Sequence, residues 1–100
     1  MVKSADYFIS KVSYNQNHTR ITNVIQHLVS DGNTLADGTV VTRAIVVSNL
    51  ATLKYMTVVK TSGGWKLGDN VIRYFIDNEY FIRTDGNETK SDNLGELPEF

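Results

Sequence analysis

The segment "RITNVIQHLVS" (residues 20–30) decides whether this chain is built mainly from helices or from a sheet. Four apolar residues fall at the i, i+3, i+4, i+7 spacing of an amphipathic helix: Ile21, Val24, Ile25 and Leu28. The residue types favour a strand instead, because isoleucine, valine and threonine are branched at Cβ and lose side-chain freedom in a helix. We therefore predict a strand, with a bulge that disturbs its alternation.

The preceding residues predict the partner of this strand. The segment "DYFISKVSY" (6–14) is rich in strand-forming residues and alternates loosely, which places Phe8, Val12 and Tyr14 on one face and Tyr7 and Ile9 on the other. The asparagine-rich "NQNHT" (15–19) is typical of a turn, because asparagine accepts left-handed dihedral angles. The two strands should therefore form a hairpin.

The following residues predict a loop and then the single helix. The loop is "DGNTLADGT" (31–39), which contains two Asp-Gly pairs. The helix is "VTRAIVVSNLATL" (41–53), with Thr42 as its cap and an apolar stripe formed by Val46, Val47, Leu50 and Leu53. Its β-branched residues weaken it, so it should gain stability by packing that stripe on a sheet.

Three further strands are predicted after the helix. The segment "KYMTVVK" (54–60) is a strand, "TSGGW" (61–65) a glycine turn, and residues 69–86 a hairpin with strands 71–76 and 80–83 around a turn at 77–79. Alternation places Val71, Arg73 and Phe75 on one face, and Ile72, Tyr74 and Ile76 on the other. The order β-β-α-β-β-β describes an α+β domain with a small curled antiparallel sheet of about five strands and one short helix.

Composition limits the class of protein. A chain of 100 residues, 41% hydrophobic and 21% charged, suits one globular domain spanning residues 1–100. With no cysteine, disulfide bonds and thiolate chemistry are excluded. The first residues show no secretory pattern and no apolar run reaches about 18 residues, so we expect a cytoplasmic protein without a membrane span.

Charge is distributed unevenly along the chain. Residues 1–76 hold eight Lys/Arg against four Asp/Glu, and residues 77–100 hold two against seven, giving balances of +4 and −5. Either the acidic C-terminal segment lies over the basic body, or a basic surface serves an acidic partner.

No set of residues predicts a catalytic or metal site. His18 and His27 are nine positions apart without further ligands at a recognised spacing, which favours hydrogen-bonded or surface histidines. Ser30, His27 and Asp31 lack the glycines of a nucleophile elbow. Residues 85–93 resemble a calcium loop in composition only, and Gly63-Gly64 has no following helix to bind phosphate. We therefore expect a non-enzymatic protein without cofactor.

Aromatic and basic residues alternate in the second half of the chain. Candidate contact residues are Trp65, Tyr55, Tyr74, Lys66, Arg73 and Arg43. They suit an interaction module that binds a protein partner through Trp65 or an exposed strand edge, and unpaired edges also suit a homodimer. The alternative is a nucleotide or nucleic-acid binding domain in which aromatic rings stack on bases and Arg43, Arg73 or Arg83 holds an anion.

The last segment, "TDGNETKSDNLGELPEF" (84–100), is predicted to pack on the sheet and stabilise the fold and not to form a functional site. Leu94 and Leu97 are spaced i, i+3 and should be buried as two apolar anchors, and Pro98 stiffens the chain that follows. The Asp85-Gly86 and Asp92-Asn93 pairs should form turns, with the acidic side chains facing outward.

Several stretches together resemble a known family. They are "ADYFISKVSYN", the "TR…VV…L" of the helix, "YFIRTDGN" and above all "SDNLGELP". These resemble small bacterial and phage proteins grouped as domain of unknown function 3892, over nearly the whole chain. The resemblance implies a β-rich single domain and hints at a phage origin, with inhibition of a host protein as one role. Gln26 departs from the family pattern, which usually has a valine there.

Overall fold

A computed structural model of the chain describes residues 4–17, 20–32, 34–84, 92, 94 and 97–100. In this part of the chain a curled sheet with the strand order β3-β2-β1-β5-β6-β7 carries one short helix, and β4 also pairs with β2. The α+β class is therefore confirmed. The elements are β1 Tyr7–Tyr14, β2 Ile21–Ser30, β3 Thr34–Leu35, β4 Thr39–Thr42, α1 Arg43–Asn49, β5 Tyr55–Thr61, β6 Gly64–Ile76 and β7 Glu79–Arg83.

The sheet is mixed, whereas the sequence predicts a purely antiparallel sheet. β1 and β5 run parallel through the pairs Tyr7↔Tyr55 and Ile9↔Thr57. The cause is α1, which crosses over β2 and β1 and connects β4 to β5, two strands that run in the same direction. Parallel strands require such a crossover, whereas hairpins join antiparallel strands.

The strand prediction for residues 20–30 is confirmed, and so is its bulge. The pairing of β1 with β2 skips Thr22, between Ile21 and Asn23. The extra residue lets Ile21 and Val24 both enter the main core, although three positions separate them. The helix-like spacing of the sequence is therefore the spacing of a bulged strand.

A second bulge, which the sequence does not reveal, lies in β1 at Ser10. It moves Ile9 onto the same core as Val12, while Phe8 packs in a second cluster on the other face. The predicted grouping of Phe8 with Val12 is therefore wrong, because strict alternation does not hold across a bulge.

The helix is shorter than the predicted span of 41–53. Its first predicted residues pair with β2 as β4, through Val41↔Val24, and Thr42 stands at the N-cap position without a side-chain hydrogen bond. Val46 is its buried residue, and Val47, Leu50 and Leu53 pack at the edge of the core. In the part of the chain that the structure covers, no helix is long and apolar enough to cross a membrane.

Two other boundaries differ from the prediction. The loop at 31–39 contains β3 and the start of β4, and β6 begins at Gly64, so Trp65 lies within a strand. Asp77 and Asn78 have φ angles of 50° and 64°, which suit a two-residue hairpin turn, and Glu79 already belongs to β7. Strands with polar, glycine-rich sequence lack the alternation by which strands are recognised.

Described residues of the C-terminal segment pack on the sheet. Leu94 and Leu97 are 2% and 8% exposed and belong to the main core. At its end, the N–H of Val12 donates to the carbonyl of Pro98 at 3.0 Å, and the N–H of Phe100 donates to the carbonyl of Val12 at 3.0 Å. The pairing of β1 with β5 stops at Ile9. Beyond that point, the C-terminal segment pairs with β1 at Val12.

Asp92 corrects the expectation that the acidic residues of this segment face outward, because it is only 3% exposed. Its carboxylate accepts hydrogen bonds from the backbone N–H of Ile21 at 2.8 Å and of Ile82 at 2.9 Å. Arg43 donates to both carboxylate oxygens, from Nε at 2.6 Å and from Nη2 at 3.1 Å. Asp92 thus joins β2, β7 and α1; the predicted turn residues Asp85, Gly86 and Asn93 lie outside the described residues.

Replacing Asp92 by alanine should lower the free energy of unfolding by about 3–5 kcal/mol, because the change leaves the Arg43 guanidinium and two backbone N–H groups without their acceptor. Urea denaturation of Asp92→Ala measures the effect. Asp37→Ala, which removes an exposed aspartate, is the matched control and should change stability by less than about 0.5 kcal/mol. Similar small losses for both variants would show that the carboxylate does not hold the fold.

Candidate interaction surface

The structure separates the six predicted contact residues. Trp65 and Lys66 are exposed on β6, and Tyr74 is half-buried with its ring 6.5 Å from that of Phe81. Tyr55 is fully buried, and Arg43 and Arg73 bind groups of their own chain. The six therefore do not form one surface.

Tyr55 is a core residue and not a contact residue. Its side chain is 0% exposed, and its ring stacks on that of Tyr7 at 5.2 Å. Its hydroxyl donates to Oε1 of Gln26 at 2.7 Å and accepts from Nδ2 of Asn49 at 3.0 Å. The polar residue at position 26 thus has a buried hydrogen-bond partner. Burial raises the pKa of the Tyr55 hydroxyl above 10.0, against the smaller opposing effect of Asn49.

The three arginines proposed for an anion pocket are either bonded to groups of their own chain or buried. Arg43 binds Asp92 and also donates from Nη2 to the carbonyl of Tyr80. Arg73 donates from Nη1 to the carbonyl of Val47 at 2.9 Å, and its guanidinium lies 4.4 Å from the ring centre of Tyr80. Arg83 is 6% exposed. Arg43 and Arg73 thus connect the last hairpin to the helix and to Asp92 of the C-terminal segment.

Trp65 and Lys66 belong to a hairpin arm formed by residues 58–70 of β5 and β6. All residues from 59 to 70 are exposed. Among the described strands, β1 pairs with β5 only up to Thr57, and β7 pairs with β6 only from Ile72 onward. Both outer edges of the arm are therefore without a paired strand in the described part of the chain.

Exposed apolar side chains lie on both sides of the arm. Trp65, Leu67 and Val59 are 44%, 43% and 43% exposed. Cross-strand pairing places Trp65 beside Lys60 on one side and Val59 beside Lys66 on the other. The arm contains these two lysines and one acidic residue, Asp69, at its base, so its outer part, residues 58–68, is apolar and basic.

A bulge and a glycine set the direction of the arm. Between the pairs Met56↔Asn70 and Val58↔Leu67, one residue of β5 lies opposite two residues of β6, which forms a bulge in β6. At Gly68 a Cβ atom would clash with Oγ1 of Thr57 and lie 3.1 Å from its carbonyl oxygen, so only glycine allows this approach. The same hydroxyl accepts from the N–H of Asp69 at 3.0 Å.

The arm places the ring of Trp65 5.7 Å from that of His27. His27 is 8% exposed and is hydrogen-bonded at both nitrogens, to Oγ of Ser10 at 2.8 Å and to the carbonyl of Ala36 at 2.9 Å. Since a carbonyl only accepts, Nδ1 carries a proton, and in the neutral ring Nε2 accepts from Ser10. The expectation of a hydrogen-bonded histidine is confirmed for His27, and His18 lies outside the described residues.

The partners of His27 have no signal in the sequence. Ser10 is 17 positions away and reaches the ring because β1 pairs with β2 around the bulge at this residue. Ser30 and Asp31 are not among its hydrogen-bond partners. Within the described residues, no group of three or more His, Cys, Asp or Glu is placed to hold a metal ion.

Comparisons with known proteins identify a family. A family model described as "Protein of unknown function (DUF3892)" matches residues 8–98. No curated protein and no solved structure matches the chain. The match covers every strand and the helix described above, except for the first residue of β1.

Burial raises the pKa of the Tyr55 hydroxyl and also that of the Tyr14 hydroxyl. The free energy of unfolding should therefore change with pH in the alkaline range. Below pH 10.0 the hydroxyls are protonated in folded and unfolded chains, so the full stability is present. Above it the unfolded chain ionises first, and the free energy of unfolding should fall as pH rises.

Urea denaturation between neutral pH and pH values above 10.0 measures this fall. Tyr55→Phe should lose about 1–3 kcal/mol at neutral pH, because Gln26 loses its buried donor, but its stability should then fall less steeply above that pH. Identical pH slopes for the two chains would contradict the assignment.

Proposed function

The chain belongs to the DUF3892 family of proteins of unknown function, and we propose that it acts as a small non-enzymatic module that binds a protein partner through its β5–β6 arm. The proposal needs neither a catalytic group nor a cofactor. One observation carries it: the arm exposes twelve consecutive residues, 59–70, with three large apolar side chains and two strand edges unpaired among the described strands.

Unpaired strand edges support binding by strand addition. Backbone N–H and C=O groups along an exposed edge can pair with an extended segment of another chain. β6 offers seven residues for this purpose, 64–70, before its pairing with β7 begins at Ile72. An isolated two-stranded hairpin is only marginally stable, so a partner strand would also stabilise the arm.

Trp65 is suited to anchor the partner. It is 44% exposed, and its ring already contacts that of His27, which is fixed by Ser10 and Ala36. A side chain held before binding loses less conformational entropy on binding. Tryptophan is also among the residues that contribute most to interfaces.

The charge of the arm favours an acidic partner. Lys60 and Lys66 lie on opposite sides of the hairpin, and the one acidic residue of the arm, Asp69, lies at its base. An acidic segment would be attracted from either side, and the attraction should weaken at high salt.

A nucleotide or nucleic-acid ligand is less well supported. Tyr55 is buried and has no free face for stacking, and the Arg43 guanidinium is bound to Asp92. One exposed tryptophan and two lysines are a small set for stacking on bases and following phosphates. Nucleotide binding would be favoured if the capture experiment described below recovered nucleotides and no protein.

The test is capture of a partner by immobilised chain from a lysate of the source cells, with mass spectrometry of the bound proteins. The unmodified chain should capture one protein reproducibly, and Trp65→Ala should reduce its capture by about tenfold or more, as expected for an interface anchor. Phe75→Ala is the matched control, because Phe75 is 57% exposed on β6 but lies outside the arm.

Three results would contradict the proposal. Equal capture by Trp65→Ala would place the interface elsewhere. Equal loss with Phe75→Ala would show a general effect on folding. Recovery of nucleotides without protein, seen by ultraviolet absorbance, would favour the alternative. If the captured protein is a second copy of the chain, size-exclusion chromatography should show a dimer that Trp65→Ala converts to monomer.

A further inference from the structure

A second feature of the molecule, apart from the arm, is an open cleft of about 490 Å³. It lies between the end of the helical region and the middle of β6. Its volume is in the range of sites that bind small molecules. The cleft is lined by Leu50, Leu53, Lys54, Asn70, Val71, Ile72 and Arg73.

The topology of the sheet produces this cleft. β5 begins at Tyr55, and its pairing with β6 reaches only to Val71. From Ile72 onward, the edge of β6 that faces β5 has no paired strand among the described residues. The chain from Leu50 to Lys54 passes this open edge and does not cover it.

One part of the lining is apolar. Leu50 and Leu53 are half-buried and pack against the main core, and Val71 is 5% exposed. Ile72 is 42% exposed, which is high for a large apolar side chain. A ligand that covers Ile72 and the leucines would be stabilised in proportion to the apolar surface that it removes from water.

The other part of the lining is cationic. Lys54 and Arg73 are its charged side chains, Asn70 is neutral, and no carboxylate lines the cleft. In the described part of the chain, no side chain forms a hydrogen bond or ion pair with the Lys54 ammonium. Arg73 uses Nη1 for the carbonyl of Val47, which leaves other N–H donors of its guanidinium for a ligand. The nearby carboxylate of Asp6 accepts from the backbone N–H of Lys54 at 2.7 Å and does not line the cleft.

We propose that this cleft binds a small amphipathic anion, namely an apolar chain or ring that ends in one carboxylate or phosphate group. The apolar part lies against Leu50, Leu53 and Ile72. The anionic group accepts hydrogen bonds from Lys54 and Arg73. The ligand needs an apolar part and an anionic group because the lining of the cleft is partly apolar and partly cationic. Neither property of the ligand depends on the arm or on its protein partner.

The experiment is a titration of the ¹⁵N-labelled full chain followed by two-dimensional NMR. The probes are sodium octanoate, monooctyl phosphate, 1-octanol and octylammonium chloride, which share one chain and differ in their head group. Octanoate or octyl phosphate should shift amide signals of residues 50–54 and 70–73 saturably. Neutral octanol should bind roughly tenfold more weakly, because it lacks the charged hydrogen bonds, and octylammonium should bind more weakly still.

Variants locate the binding in the cleft. Lys54→Gln should weaken octanoate binding roughly tenfold, as expected for the loss of a charged hydrogen bond, and Ile72→Ser should weaken it several-fold through lost apolar contact. Lys66→Gln is the matched control, because it removes an exposed lysine of the arm and should leave the affinity unchanged. A dispersed amide spectrum shows that each variant is folded.

Two outcomes would overturn the proposal. Equal binding of the anionic, neutral and cationic probes would show that the cleft does not select an anion. Octanoate shifts that centre on residues 59–67, or an octanoate affinity that is unchanged in Lys54→Gln, would place the ligand elsewhere. Since the arm is tested with Trp65→Ala, failure of either proposal leaves the other intact.

Discussion

The buried carboxylate of Asp92 is the interaction on which the rest of the structure depends. Burying a charge is costly unless the charge is paired and hydrogen-bonded, and Asp92 meets this condition with Arg43 and the backbone N–H groups of Ile21 and Ile82. Those partners belong to α1 and to β2 and β7, two strands that are separated in the sheet by β1, β5 and β6. One side chain therefore links two distant strands of the curled sheet to the first residue of the helix.

The consequences of this contact reach the surface. Because β7 is held by Asp92 and Arg43, the sheet bends back toward β2, and its last edge is not open for pairing at Ile82. Unpaired strand edges occur, among the described residues, on the arm and beside the cleft. The proposed protein-binding surface thus uses unpaired strand edges of the arm, and the proposed ligand-binding cleft lies beside another unpaired edge.

Much of the fold follows from local residue types, and the rest depends on distant partners. Residues 20–30 are a strand because Ile21, Val24 and Ile25 favour one, yet the bulge at Ser10 has no local signal, since it results from how two strands align. Asp92 resembles a turn residue in sequence because its partners are 10, 49 and 71 positions away. Trp65 and Tyr55 are both aromatic, and only strand pairing shows that one is exposed and the other buried.

The pairing of Val12 with Glu99 also has a consequence for the time at which the fold can form. During synthesis, the chain up to β7 leaves the ribosome before Asp92, Leu94 and Leu97 do. Until those residues arrive, the N–H groups of Ile21 and Ile82 have no carboxylate, and the main core lacks two leucines. Contacts between residues so far apart form slowly, because much chain entropy is lost before they are made. The nascent chain therefore cannot complete its main core until Asp92, Leu94 and Leu97 have been synthesised.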